Sequence, residues 1–457
     1  MNTIDKKFRV AIFAVMIVII VITVVTGTVN AGQPVRDKDG KIFFPLGWYD
    51  YTRPGNLAAM AATGCNAVSW WGSHTDPAVV NYWLNQAKQY KLKAVIGVPV
   101  EWRNMTTAQQ ALLSAWVTAI KDNDALLAYK IGDENNHPST SAWTSAKALI
   151  AYNLIKGIDP SRQVTQVFGG SNSAPSLSNV QNFLQSTDVV ERDSYNIMAV
   201  DAEFQNVTKF NKDFVAYNSN ANIVAEAGVV AVHQAYGGAP LFSTMRYPTY
   251  NEMRYETFSS LTLKARGNWW WTYSMTLEQA DGQAFLTGVA TPVIQQFSQI
   301  VPGLQRHYDV GTITSNHDTD TQSNGFNDVT YIMSADRDYY YLVAANNTSS
   351  TLSVSLNISN IESLASLTAT VIGESRTATF TQDSGGYHIT ESMTKYDINI
   401  YKLTKLTPEP KTCEDQLLED GVIVGDIDGD CYVTFTDFAE LAKQWQLCND
   451  PQILECW

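Results

Sequence analysis

The hydrophobic pattern divides the chain into two textures. From about Gly32 to Leu304, short apolar runs alternate with stretches whose apolar residues recur every three or four positions. Eight runs read as strands: Lys41–Gly47, Asn66–Trp70, Ala94–Val98, Leu126–Ile131, Val164–Phe168, Asp188–Val190, Asn222–Ala225 and Asn268–Tyr273. Between them, Val80, Trp83, Ala87 and Tyr90 form one helical stripe, and Trp143, Ala146, Ile150 and Leu154 another. Strands separated by helices predict a parallel α/β sheet. Eight such units in roughly 250 residues predict a (β/α)8 TIM barrel over 32–304, with a doubly wound sheet as the alternative on pattern alone.

From about Gln305 the period changes. Tyr331-Ile332-Met333, Tyr339 to Val343, Leu352 to Leu356, Leu367 to Val371 and Ile398 to Tyr401 are short β-type runs separated by Asn, Asp, Ser and Gly clusters. They predict a small antiparallel β-sandwich over 305–403. A proline-bearing linker over 404–412 and a cysteine-rich tail over 413–457 complete the chain.

Composition narrows the function. Only 17% of the 457 residues are charged and the net charge is −14, which argues against a nucleic-acid partner. The 22 Tyr and 12 Trp supply flat faces with a polar handle, suited to sugar rings as well as to cores. At the N-terminus, Lys6, Lys7 and Arg9 precede an apolar run from Val10 to Val25, and Val29-Asn30-Ala31 offers small residues for cleavage. Residues 1–31 thus predict a secretory signal, or an anchor if retained, and an extracellular or cell-surface location. Cys65 stands in an apolar stretch and predicts a buried thiol. Cys413, Cys431, Cys448 and Cys456 predict two disulfides, with the pairing open.

In a TIM barrel, chemistry sits at the C-terminal ends of the strands. Glu134, in Ile131-Gly132-Asp133-Glu134-Asn135, follows the fourth predicted strand, and Glu226, in Val224-Ala225-Glu226-Ala227, follows the seventh. Two opposed carboxyl groups are what glycoside cleavage needs, one to protonate the leaving oxygen and one to attack or stabilise the anomeric carbon. Asp193 and Tyr195, after the sixth strand, are further cleft candidates, and Trp270 or Trp271 is a candidate floor for a sugar. No HExxH or paired-His spacing supports a catalytic metal.

The stretch Asp124 to Glu134 resembles the strand-four segment of the retaining (β/α)8 glycoside hydrolase superfamily, the cellulase-like and β-galactosidase-like group. Asp39 to Gly47, Arg246-Tyr247-Pro248 with Asn251 to Arg254, and Ala265 to Tyr273 are similar to its first strand, helix and aromatic eighth strand. The resemblance spans roughly Asp39 to Tyr273. It implies Glu134 as acid/base and Glu226 as nucleophile, and a carbohydrate substrate touched at Asp133 and Asn135, to which strand position adds Tyr195 and Trp270 or Trp271 as binding candidates. Asp133 and Asn135 depart from the pattern, since many members carry Asn and Pro there. A carbohydrate-binding barrel without activity and a cell-surface structural protein are the alternatives.

The tail carries Gly425-Asp426-Ile427-Asp428-Gly429-Asp430-Cys431-Tyr432-Val433-Thr434-Phe435-Thr436-Asp437. Asp426, Asp428, Asp430, Tyr432 (through its carbonyl), Thr434 and Asp437 alternate as oxygen donors in a 12-residue loop of the kind that holds Ca²⁺. Phe438, Leu441, Ala442 and Trp445 follow at helical spacing. The segment resembles a dockerin type I repeat, with one clear loop where two are usual. That implies structural Ca²⁺ and a cohesin-like or cell-surface partner.

Overall fold

The computed structural model describes residues 32–50, 54–70, 72–135, 143–169, 180–195, 197–198, 201–218, 227–237, 244–411, 425, 433 and 435–448. Eight parallel strands close into a barrel: β1 (Leu46–Asp50), β2 (Ala67–Trp70), β3 (Lys93–Gly97), β4 (Leu126–Lys130), β5 (Gln163–Phe168), β6 (Val189–Asp193), β7 (Gly228–Gln234) and β8 (Asn268–Trp271). The ring is closed by β1 against β8, with Leu46 opposite Asn268 and Tyr49 opposite Trp271. Asp50 clasps this seam. It accepts bonds from the Thr272 hydroxyl and from the Ser274 backbone N–H (2.9 Å) and hydroxyl (2.6 Å).

The strand period of two sorts side chains between two cores. Tyr49, Val95, Ala128, Val167, Val189, Val232 and Trp269 fill the barrel. Trp48, Val68, Ile96, Tyr129, Phe168 and Trp270 face the surrounding helices. The helix Pro77–Gln89 starts at an Asp76 cap and buries Val80, Leu84 and Ala87. The helix Ser145–Ile158 buries Ala148, Ala151 and Ile155. Its predicted stripe is rotated from the real one, because Thr144 caps the helix and leaves Trp143 outside it; Ile150 is exposed. Cys65 is buried as expected, and burial pushes its thiol up to about 12.

One predicted strand is displaced. β7 runs from Gly228 to Gln234, while Asn222–Ala225 and Glu226 lie outside the described residues. In chain order Glu226 precedes the strand, so the residue that closes the C-terminal end of β7 is Gln234.

Two antiparallel sheets follow. One has the order β10 (Val329–Ala335), β11 (Tyr339–Asn346), β17 (Ile398–Thr404), β13 (Thr368–Val371) and β14 (Thr377–Thr379). The other has β15 (Thr381–Asp383), β16 (Gly386–Met393), β12 (Leu352–Ser359) and β9 (Thr312–Ser315). Barrel and sandwich share a core along the helix Tyr250–Thr262, whose residues from Glu252 to Thr262 are all buried. Arg254 Nη1 donates to the Ile398 carbonyl (2.7 Å), and the Tyr255 hydroxyl donates to Asn347 Oδ1 (2.9 Å). A helix covered on all sides shows no apolar stripe.

The expected linker is pinned rather than free. Leu406 N–H donates to the Ser363 carbonyl and Glu409 N–H to the Arg337 carbonyl. The Glu409 carboxylate meets Lys405, Arg306 and His307 at 2.5, 2.9 and 3.1 Å. Those partners outweigh its partial burial and hold it down to about 2. The tail contributes the helix Phe435–Cys448, with Asp437 buried and Phe435 and Phe438 exposed. Asp426, Asp428, Asp430, Tyr432 and Thr434 lie outside the described residues, as do Cys413, Cys431, Cys456 and residues 1–31. Among the described residues no helix is long and apolar enough to cross a membrane.

Candidate active site

The barrel interior is polar near its C-terminal mouth. Lys130, the last residue of β4, points inward and is almost fully buried. Its ammonium donates to Glu191 Oε2 (2.8 Å) and Ser69 Oγ (2.6 Å) and lies 3.7 Å from the Tyr49 ring centre. The other Glu191 oxygen accepts from the Thr165 hydroxyl. This layer is closed on itself, since every charge in it has a partner of opposite sign or a donor.

Above that layer the chain turns sharply. Gly132 has φ +85° and Glu134 φ +47°. A non-glycine residue in the left-handed region costs on the order of 1 kcal/mol, and such residues gather at functional sites. Asn135 holds the turn from beneath: its amide donates to the Ile131 carbonyl and Gln166 Oε1, each at 2.8 Å. Asn135 is buried, its amide nitrogen committed to the turn and its side-chain oxygen without a hydrogen-bond partner among the described residues. The Gly169 backbone presses on the other side of Glu134, where a β-carbon would stand 2.5 Å from Oε1.

Asp133, Glu134 and Asp193 converge here. The Asp133 carboxyl is pushed up to about 6 by burial, against the pull of Lys130 and of the neighbouring Tyr49 hydroxyl. Asp193 is also buried. Desolvation and then the nearby Glu134 and Asp133 charges push it well above the usual carboxylate range, and Arg192 opposes them. A hydrogen bond to the Glu134 carboxyl adds to the upward push on Asp193. Among the described residues no N–H or hydroxyl reaches Asp193 Oδ1.

An aromatic face flanks the acids. Tyr195 stacks on Trp271 (5.3 Å between centroids, 26° between planes), and Tyr236 stands edge-on to Trp271 at 4.5 Å. Burial raises both tyrosine hydroxyls, and the Asp193 charge adds to it. Trp270, by contrast, is a packing residue. It turns outward between Trp48 and His233 and donates to Thr257 Oγ1 (3.3 Å). The parity of β8 separates it from Trp271. Tyr236 was not among the sequence candidates, because the displaced β7 hid its place just beyond a strand end.

No protein-family model matches the sequence, and no curated protein matches it. The fold has clear counterparts among solved structures. A glycoside hydrolase aligns with a TM-score of 0.53 at 14% identity, covering 82% of this chain and 96% of its own. A glycoside hydrolase family 5 protein from Bacteroides vulgatus ATCC 8482 aligns with a TM-score of 0.53 at 13% identity, covering 86% and 98%. Both alignments cover more of the chain than the barrel alone.

Proposed function

We propose that the chain is a glycoside hydrolase cleaving O-glycosidic bonds of an oligo- or polysaccharide at the C-terminal mouth of the barrel. One observation carries this: Glu134 and its neighbouring acids stand beside the Tyr195–Trp271 stack. Glycoside cleavage needs a protonated and an ionised carboxyl beside a sugar ring, and sugars lie against aromatic faces. The glycoside hydrolase names of the two structural counterparts agree with the reading.

The sequence resemblance supports a retaining reaction with Glu134 as one of its two carboxyls, and pairs it with Glu226. The same resemblance supports Ca²⁺ in the tail and a cohesin-like or cell-surface partner there, and the N-terminal run supports export.

The test is release of reducing ends by the full chain from an array of plant and microbial polysaccharides. Hydrolysis of at least one, abolished in Glu134→Gln, is expected. Binding without hydrolysis across the whole array would identify a carbohydrate-binding barrel instead.

A further inference from the structure

We propose that Gln166, on the helix-facing side of β5, is a positioning residue for the Glu134 carboxyl and acts through Asn135. This rests on the reading of Glu134 as one of the two reacting carboxyls.

Strand parity puts Gln166 outside the barrel interior. Thr165 turns inward to Glu191 and Val167 joins the barrel core, whereas Val164 and Phe168 pack against the helices. Gln166 lies between those two and faces the same layer. It is fully buried, so it has no way to touch a substrate at the mouth. An amide in a layer that also holds Val164, Phe168 and Val190 costs free energy unless its hydrogen bonds are made. Here both its donors and its acceptor are engaged.

The neighbours decide which way that amide faces. The Ser186 and Thr187 hydroxyls both donate to the Phe183 carbonyl, at 2.8 and 2.9 Å. Toward Gln166 they can therefore only accept, and the Ser186 carbonyl is an acceptor as well. Gln166 Nε2 shares its hydrogens among these three, at 3.0 Å to Ser186 Oγ, 2.6 Å to Thr187 Oγ1 and 2.9 Å to the Ser186 carbonyl. With Nε2 committed there, Oε1 must point the other way, where it accepts from Asn135 Nδ2 at 2.8 Å.

Asn135 passes the constraint to Glu134. The same Nδ2 also donates to the Ile131 carbonyl at 2.8 Å, which closes the loop from Ile131 to Asn135. Within that loop Gly132 has φ +85° and Glu134 φ +47°. A β-carbon on Gly132 would run into the Asn135 amide, so the loop closes only around a glycine. Proline at 135 would push Glu134 toward extended backbone. Asparagine permits the left-handed Glu134, and its amide ties the loop to β5. A left-handed glutamate is a strained residue that persists only where its surroundings over-determine it, and Gln166 is the anchor of those surroundings.

The experiment uses the full chain. Gln166→Met keeps the reach of the side chain and removes its amide. It is expected to lower kcat on a hydrolysed polysaccharide about 10²-fold, the cost of a displacement near 1 Å, with KM within about 3-fold of wild type. Asn135→Ala should behave alike, and the double variant should be no slower than Asn135→Ala alone, because both act along one path. Thr187→Val keeps the local shape and loosens the Gln166 amide. About 5- to 10-fold in kcat is expected of it, one hydrogen bond's worth, and it decides the matter if the other variants do not fold. A folded Gln166→Met or Thr187→Val with wild-type kcat, or losses that multiply in the double variant, would overturn the proposal. Hydrogen exchange of the peptide spanning Ile131 to Asn135, read by mass spectrometry, needs no turnover. Exchange there should be faster in Gln166→Met while the β1 and β8 peptides stay as in wild type; an unchanged rate at Ile131 to Asn135 would also overturn it. A fully active Glu134→Gln, or a wild type that hydrolyses no polysaccharide, defeats the reading of Glu134 itself, and the exchange rate still decides whether Gln166 holds the loop.

Discussion

Glu134 and Gly169 touch across the mouth of the barrel: a β-carbon on Gly169 would stand 2.5 Å from Oε1 and 2.7 Å from Cδ of the glutamate. What it would meet is the end of a flexible side chain, so the backbone need not move. Gly169→Ala should therefore leave the melting temperature almost unchanged while swinging the Glu134 carboxyl aside. A misplacement near 1 Å costs roughly 10²-fold in rate. Comparing kcat/KM with thermal melting of the same variant checks it; a fully active Gly169→Ala would place Glu134 outside the reaction.

Asp133 should make stability depend on pH in a definite direction. Its carboxyl titrates at about 6 in the folded chain, against an ordinary value of 3.8. Between those values the folded state binds the proton more tightly than the unfolded state. The stabilising term is complete below the lower value and is lost as pH rises through the upper one. Asp133→Asn should flatten this part of the curve and raise stability at neutral pH by no more than about 3 kcal/mol. Urea unfolding across the window measures it, and a curve identical to wild type would count against the assignment.

The pair Lys130–Glu191 should tolerate the loss of neither partner. Both side chains are buried at a 2.8 Å contact, and removing one leaves the other charge without compensation. Lys130→Met is expected to destabilise the barrel by about 3–5 kcal/mol. A double variant, Lys130→Met with Glu191→Leu, should recover much of that loss. Denaturant midpoints for the two variants decide it.

Calcium should act on the tail alone. Four carboxylates within a 12-residue loop repel one another until a cation neutralises them. Addition of millimolar Ca²⁺ to the full chain should raise the melting temperature of one minor transition, reversed by chelator, and leave the main transition in place. Differential scanning calorimetry is the measurement. Asp428→Asn with Asp430→Asn should remove the effect.

Seven of the eight barrel strands overlap a run read from the sequence, because each is an apolar run with a polar boundary. β7 was displaced because two such runs follow one another, Ile223-Val224-Ala225 and Val229-Val230-Ala231-Val232, with Glu226 and Gly228 between them. An acid after an apolar run looks like a strand end, and local pattern does not say which run is hydrogen-bonded into the ring. β16 escaped notice because its Gly386-Tyr387-His388-Ile389-Thr390 alternates polar and apolar residues and packs only one face. At the site, Glu134 and Tyr195 could be found by their position after strands. Parity was needed to tell Trp271 from Trp270, and the bearing of Asp193 on Glu134 required the closed ring.

The seam at Asp50 sets a timetable for the chain. Its hydroxyl partner Thr272 lies 222 residues further on, so the ring cannot shut until nearly the whole barrel has left the ribosome. Until then β1 and the most recently made strand both offer unsatisfied edges, which invite pairing with other chains. Closure over such a separation is slow compared with local helix formation. Fragments ending anywhere before Trp271 should accumulate as aggregates rather than as smaller barrels, and a folding helper would matter most during this open interval.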